Sequence, residues 1–513
     1  MKLETLLEGL HGVRLKGDPS TEISELAYDS RNVTPGGLFF ALPGEHVDGR
    51  EFVGEALERG AHAVAVPEGV PIAGQGVFVQ ATDIRRTMAQ VAGRFFGDPS
   101  RELVMIGVTG TNGKTSFTYL MESILRQAGF NPGVVGTISY RYGEKTHRPA
   151  NTTPESVDLQ RILKEMVQSG VTHALLEVSS HGLDYRRVEA CHFSCAVFTM
   201  LGRDHLDHHG SVEAYFDSKS VLFTEILPRS TVESRVAVVN LDDPYGQRLL
   251  RMSPVPVISV GWGAGADYRL ESATCDREGT SLKIRTAQGT LQLHSRLLAE
   301  VNAMNILMAV AVSDWLGLEA EAIARGVEAV ERIPGRLERI ANDRDFLALV
   351  DYAHTPDALD LVLSSVRDLT PGRLITVFGC GGDRDRGKRP LMGKAAAHWS
   401  DLILVTSDNP RSESAEGIIE EILQGVRKEG VSFTEPTEIS QTRSGTKAFT
   451  RVVDRREAIQ LAVQIAEVGD TVVIAGKGHE DVQILGQQKV PFRDDQEVVR
   501  ALRGIGSRES VLG

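Results

Sequence analysis

The chain has 513 residues, of which 41% are hydrophobic and 24% charged, and its formal net charge is −13. Such a composition is average for soluble globular proteins, and at roughly 100–200 residues per domain the length suggests about three domains. The acidic balance argues against a nucleic-acid binder, which needs a basic face, but local Arg and Lys clusters can still hold anionic small molecules.

No run of about 18 apolar residues marks a membrane span. The N-terminus lacks the apolar region and cleavage site of a secretion signal. Cys191, Cys195, Cys275 and Cys380 form no CxxC pair, so neither a disulfide framework nor a zinc site is expected, and a cytoplasmic setting is the simplest reading.

In chain order, residues 1–98 read as a small α/β domain. Apolar runs at 37–42 and 61–66 flank a helical stretch at 52–59, and Gly97-Asp98-Pro99-Ser100 marks a linker. A second unit, 99–332, opens with a buried-strand pattern at 103–108, followed by a glycine-rich turn and a helix through 117–121. Further strands are expected at 173–178, 196–199 and 236–240, with helical patterns between them, which predicts a parallel sheet. A third unit, 333–513, carries strand patterns at 346–350, 374–378, 402–406 and 471–475. It reads as another open α/β sheet, in which ligands sit at the carboxyl ends of strands. Residues 504–513 are expected to be a frayed tail.

The strongest chemical signal is Gly107-Val108-Thr109-Gly110-Thr111-Asn112-Gly113-Lys114-Thr115-Ser116. It has a P-loop pattern one residue longer than the usual spacing, between a strand and a helix. Glycines let backbone N–H groups face phosphates, and the helix N-terminus adds its dipole. Lys114 would neutralise phosphate charge and the Thr115 hydroxyl would bind Mg²⁺. Glu177 ends another apolar strand and could be a second Mg²⁺ ligand, although a carboxylate at a strand end is usually just solvated.

Further motifs follow in one order. They are Asn151-Thr152-Thr153-Pro154, Glu177-Val178-Ser179-Ser180-His181-Gly182, Asp204-His205-Leu206-Asp207-His208, Tyr215-Phe216-Asp217-Ser218-Lys219, Asn302-Ala303-Met304-Asn305, Pro334-Gly335-Arg336-Leu337-Glu338 and Asp351-Tyr352-Ala353-His354-Thr355-Pro356. With the P-loop they resemble the Mur ligase family, across residues 28–497. The nearest branch is the one that adds the third residue of the peptidoglycan stem.

The resemblance implies three α/β domains: a UDP-binding N-terminal domain, a central P-loop ATPase domain with a parallel sheet, and a Rossmann-like C-terminal domain that brings the amino acid. It implies an ATP-dependent ligase in which the D-glutamyl carboxylate of UDP-N-acetylmuramoyl-L-Ala-D-Glu becomes an acyl phosphate and is attacked by an amine. Lys114, Thr115, Glu177 and His205 resemble the family's lysine and Mg²⁺ positions, and Lys219 its carbamylated lysine. Gly110, Thr111, Asn112, Gly113, Ser116, Asn302, Asn305, Arg336 and Asp351 resemble its ATP contacts. Ser30, the loop Glu45-His46-Val47, and Asn151, Thr152, Thr153, Ser179, Tyr185 and Arg187 resemble its UDP-sugar-peptide contacts. The family resemblance favours a monomer, while the acidic charge and the lack of a long apolar run lead us to expect no nucleic-acid or membrane partner.

Asp408-Asn409-Pro410-Arg411 resembles the signature of the branch that adds meso-diaminopimelate. The physics agrees. Diaminopimelate carries a distal carboxylate that lysine lacks, and Arg411 can hold it with a bidentate fork. Arg384, Gly476 and Glu480 resemble the rest of that pocket, and Glu480 could take an ammonium. A lysine-adding ligase, a folylpolyglutamate synthetase and a non-catalytic nucleotide-binding regulator remain as alternatives.

Overall fold

A computed structural model describes residues 1–44, 47–71, 76–442 and 445–509, the last five without their side chains. Three sheets carry the chain. The first has five strands in the order Val13–Lys16, Val77–Ala81, Ala63–Pro67, Gly37–Phe40, Glu25–Ala27. Only Val13–Lys16 pairs antiparallel.

The second sheet has eleven strands, and the order at its centre is Val236–Asn240, Cys195–Phe198, Val104–Thr109, His173–Glu177, Pro132–Val135. These five are parallel and almost continuously apolar, because helices cover both faces. Successive crossovers reverse direction around Val104–Thr109, so its carboxyl end is a topological switch point, where a crevice opens between diverging loops. The helix Lys114–Gln127 follows directly. Its Phe117, Leu120, Met121, Ile124 and Leu125, at helical spacing, are fully buried against the sheet. The helix Glu300–Trp315 packs beside it and is buried nearly all round.

The third sheet runs Glu338–Ile340, Leu347–Asp351, Thr471–Ala475, Leu374–Phe378, Leu402–Val405, Ala448–Arg451, Ser432–Phe433. All its pairings are parallel except that of Glu338–Ile340. Thr471–Ala475, late in sequence, lies between Leu347–Asp351 and Leu374–Phe378. The loops at residues 352–355, 379–387, 406–414 and 476–481 therefore leave the sheet along one edge.

Several pieces differ from the sequence expectation. The antiparallel meander Tyr268–Cys275, Thr280–Thr286, Gly289–Ser295 extends the central sheet on one side, and Tyr140–Tyr142 with Lys145–His147 extends it on the other. A separate hairpin joins Val482–Leu485 to Gln488–Pro491. The segment expected as a frayed tail is helical through Asp494–Glu509, and residues 510–513 lie outside the described residues. Val498 and Ala501 explain the helix, since both are buried in the core of the third sheet.

Candidate functional site

The loop after Val104–Thr109 is shaped by its glycines. Gly110 has φ 143° and Gly113 φ 89°. A Cβ on Gly110 would lie 1.8 Å from Thr199 Oγ1, and one on Gly113 2.5 Å from Asn305 Oδ1. The loop is thus pressed against the ends of two neighbouring elements and tolerates no side chain there. Thr111 N–H donates to Met200 O (2.8 Å) and its Oγ1 accepts from Gly202 N–H (2.9 Å). Thr199 Oγ1 donates to Asn112 O (2.6 Å). The Lys114 ammonium donates to the carbonyls of Gly110 and Thr111 at 2.8 and 3.0 Å. Burial pushes its pKa down, with Glu177 opposing and Arg336 adding to the shift.

Lys219 comes to the same loop from the helix Val212–Val221. It is 1% exposed, its Nζ donates to Gly110 O (3.0 Å) and it sits 4.4 Å from the centre of the Tyr215 ring. Desolvation, and then the neighbouring Lys114, hold its pKa well below the usual lysine value.

Glu177 is buried at the end of its strand. Its Oε2 accepts from Thr115 Oγ1 (3.1 Å) and from Thr137 Oγ1 (2.7 Å). Thr137 was not legible as a site residue, because only the pairing of Pro132–Val135 with His173–Glu177 brings the two together. A hydroxyl and a carboxylate side by side are hard oxygen donors, which fit Mg²⁺.

Three cavities meet here and share walls. One, of about 340 Å³, is lined by Asp204 and His205 from the central unit and by Tyr352, His354, Arg384, Asp408, Asn409, Arg411, Gly476 and Glu480 from the third. A second, of about 610 Å³, is lined by Asn151, Thr152, Ser179, Tyr185 and Arg187, and shares His205 and Asp207 with the first. The third is lined by Asn112, Gly113, Ser116, Asn302, Asn305, Arg336 and Asp351, and shares Tyr352 and His354 with the first.

The sequence candidates divide between those that face a cavity and those that hold the walls. Thr153 is fully buried; its Oγ1 donates to Glu177 O (2.9 Å) and accepts from Ser179 N–H (2.9 Å). Ser179 caps the helix Ser180–Asp184, accepting from Gly182 N–H. Arg187 is held by Glu155 (2.8 Å), and its Nη1 donates to Thr153 O (3.0 Å). Asp351 accepts from Leu337 N–H (2.7 Å) and Ala353 N–H (2.8 Å); burial pushes its pKa up, against the pull of Arg336. Arg336 Nη2 reaches Thr115 Oγ1 at 3.4 Å and its guanidinium stacks 4.8 Å from the Tyr352 ring centre. Asn302 and Asn305 are 3% exposed on one helix face, and Asn302 Nδ2 donates to Leu298 O (2.8 Å).

His205 adopts a left-handed conformation (φ 52°), and its Nε2 lies 3.5 Å from Asp204 Oδ2. Burial lowers its pKa to about 4. Asp184, His208 and His209 put ligand atoms within 4.8 Å of one another, joined by His208–Asp184 and His209–Asp184 contacts of 3.1 and 3.4 Å.

In the first cavity, Arg411 has φ 52° and its Nη1 donates to Gly382 O (2.8 Å). Burial lowers its pKa, and so does Arg384 beside it. Asn409 Nδ2 donates to Glu480 Oε2 (2.9 Å). Pro410 is not among the lining residues; it packs its carbonyl where a Cβ on Gly382 would fall.

Arg85, at the start of the helix Ile84–Phe95 of the N-terminal unit, reaches Tyr185 in the wall of the second cavity and was not singled out from the sequence. Its Nη2 donates to Pro43 O (3.3 Å) and its guanidinium lies 4.5 Å from the Tyr185 ring centre. Ser30 is buried and its Oγ donates to Glu55 Oε2 (2.9 Å), while Val47 is exposed. Glu45 and His46 lie outside the described residues.

Family models match along this whole frame: Mur ligase family, catalytic domain over residues 22–93, Mur ligase middle domain over 108–313, and Mur ligase, glutamate ligase domain over 335–478. A UDP-N-acetylmuramoyl-L-alanyl-D-glutamate--2,6-diaminopimelate ligase of Geobacter metallireducens is 47% identical over 509 residues, covering 99% of both chains. The chain belongs to the Mur ligase family. An Aquifex aeolicus relative of the same name is 42% identical over 94% of each chain. A solved structure of a ligase so named superposes with a TM-score of 0.68 at 32% identity, covering 99% of both chains. In this Mur ligase, then, the P-loop, the Glu177 cluster and the four third-sheet loops surround adjoining cavities.

Proposed function

We propose that this Mur ligase joins meso-2,6-diaminopimelate to the D-glutamyl carboxylate of UDP-N-acetylmuramoyl-L-Ala-D-Glu, using ATP, in peptidoglycan synthesis. The observation that carries the reading is the set of three cavities sharing walls, with Arg384, Arg411 and Glu480 lining the middle one. It agrees with the name of relatives 42–47% identical over 94–99% of the chain. We assign residues 1–98 to the UDP end, 99–332 to ATP and 333–513 to the amino acid.

The adenine would lie at Asn302 and Asn305, and the phosphates along the loop from Gly110 to Ser116. Lys114, resting on loop carbonyls, would turn its ammonium onto them. A carboxylate and a polyphosphate repel unless cations stand between, and Lys114 and Arg336 supply that charge. Thr115, Glu177 and His205 are the proposed holders of Mg²⁺, which when bound supplies further neutralisation of phosphate charge. The carboxylate oxygen takes the γ-phosphoryl group and ADP leaves. The neutral amine of diaminopimelate then attacks the carbonyl carbon, and collapse of the tetrahedral intermediate expels phosphate while the nitrogen loses a proton. Asn151, Thr152, Tyr185 and Arg187 would hold the dipeptide across the His205 wall, which positions the acyl group beside the amine.

Lys219 is the proposed carbamylation site. Burial lowers the pKa of its amine, which favours the neutral form that carbon dioxide requires. A carbamate resonance from ¹³C-bicarbonate that Lys219→Ala lacks checks it, and a spectrum without one refutes it.

The deciding experiment is phosphate release with ATP, Mg²⁺ and the UDP-dipeptide, comparing meso-diaminopimelate with L-lysine. Turnover with diaminopimelate alone is expected. Turnover with lysine overturns the pocket assignment, and turnover with neither overturns the substrate.

A further inference from the structure

The buried ammonium of Lys477 lies behind the middle cavity and has no part in the reaction described so far. It is fully buried, on the turn after Thr471–Ala475. Its Nζ donates to Glu480 Oε2 (2.8 Å) and Asn409 Oδ1 (3.0 Å), and lies 3.5 Å from Asp408 Oδ1. That oxygen is buried and has no hydrogen-bond partner, so Lys477 is the charge that compensates it. Asn409 is held from both ends of its amide: Oδ1 also accepts from Ile484 N–H (3.0 Å), and Nδ2 donates to Glu480 Oε2 (2.9 Å).

The backbone is built to bring the lysine here. Gly476 has φ 116° and Gly478 φ 52°. A Cβ on Gly476 would lie 3.1 Å from Asp408 Oδ2, and one on Gly478 2.8 Å from Tyr352 Cβ. Glycines on both sides let the turn slip between two walls, where Gly476 N–H donates to Asp351 O (3.1 Å), Glu480 N–H donates to Lys477 O (3.0 Å) and the lysine side chain adds a third anchor. The bonds from Lys477 and Asn409 both fall on Glu480 Oε2, so the clamp fixes the rotamer without covering the whole carboxylate.

We infer that Lys477 is the positioning residue of the amino-acid pocket: through Asn409 and Glu480 it holds the acidic wall that receives a substrate ammonium, opposite the Arg384–Arg411 wall that receives a carboxylate. The inference rests on the proposed amino-acid site. A zwitterion with a second zwitterionic end needs both walls fixed at once. A buried cation tied to Glu480 also keeps that carboxylate aimed.

The test uses the full-length protein and steady-state kinetics with ATP, the UDP-dipeptide and meso-diaminopimelate. Lys477→Met is expected to raise KM for diaminopimelate at least tenfold, leaving KM for ATP within about twofold. Glu480→Gln should raise the same KM, and the double variant Lys477→Met/Glu480→Gln should be no worse than Glu480→Gln alone, because both changes break one clamp. Multiplicative effects, or equal rises in KM for ATP and diaminopimelate, overturn the inference. Where Lys477→Met does not fold, Asn409→Ala reads the same clamp; its failure to change KM for diaminopimelate overturns the inference too. Wild-type turnover with lysine in place of diaminopimelate would sink the substrate reading instead, a result separable from any variant.

Discussion

Arg411 is held in an unusual backbone conformation for one purpose. Its left-handed φ of 52° is one that side-chain-bearing residues seldom adopt. The turn carries its guanidinium across Gly381, where a Cβ would lie 2.9 Å from Arg411 Nη1. With one nitrogen on Gly382 O, the guanidinium keeps donors for a substrate carboxylate. A charge-assisted bond of this kind contributes roughly 1.5–3 kcal/mol. Arg411→Ala is therefore expected to lower kcat/KM for meso-diaminopimelate by about 10- to 100-fold and to erode discrimination against lysine, with KM for ATP unchanged. Unaltered discrimination between the two amino acids would show that another group reads the distal carboxylate. The acidic wall is the harder half to read from sequence. Asp-Asn-Pro-Arg announces itself as a motif, whereas Lys477 in Gly-Lys-Gly-His-Glu has the look of a surface turn until its burial is known.

At the scale of elements, the parallel strands were legible and the antiparallel additions were not. Apolar runs such as 103–108 and 471–475 are buried on both faces and leave little doubt about their state. Strands such as Thr280–Thr286 alternate buried and exposed residues at a sheet margin, and polar margins look like loops. Site residues followed the same division. The glycines and Lys114 form a local sequence pattern that points to phosphate, while Thr137 and Arg85 depend on pairing between distant segments. One strand also carries a stability cost that pH can expose. His173, 6% exposed at the start of His173–Glu177, has its pKa lowered by burial to about 4. Its folded form stays neutral between pH 6.5 and about 4, while the unfolded chain takes up a proton. Stability is thus lost as pH falls through that window. Urea unfolding of His173→Phe should lose less stability between pH 7.5 and 5 than the parent, by on the order of 1–2 kcal/mol. Equal losses would mean that His173 is solvated or paired.

Across the whole molecule, the middle cavity exists only because the central unit and the third sheet touch. Several bonds join them, among them Arg277 Nη2 to Gly469 O (2.9 Å) and Arg339 Nη1 to Arg277 O (2.8 Å), and one of them holds the loop that carries His205. Asp357, in the first turn of Pro356–Arg367, accepts from Arg203 N–H (2.8 Å), and a Cβ on Gly202 would lie 3.2 Å from its carboxylate. Arg203, Asp204 and His205 then line the cavity together with Tyr352, His354 and Thr355. The Arg148–Asp481 bridge, at 2.6 Å, is well exposed on both sides, and exposed pairs of this kind contribute little. Asp357 should therefore govern how the two halves meet, since its bond is to backbone and fixes the loop that carries His205. Asp357→Ala leaves both cores intact, so its melting temperature should stay within a few degrees of the parent. Because assembly of the site is what it disturbs, kcat should fall severalfold while KM for ATP and for diaminopimelate rise together. That paired rise separates assembly from local binding: a change confined to one substrate would place Asp357 in that substrate's own pocket, and no change would show that the halves meet through other contacts.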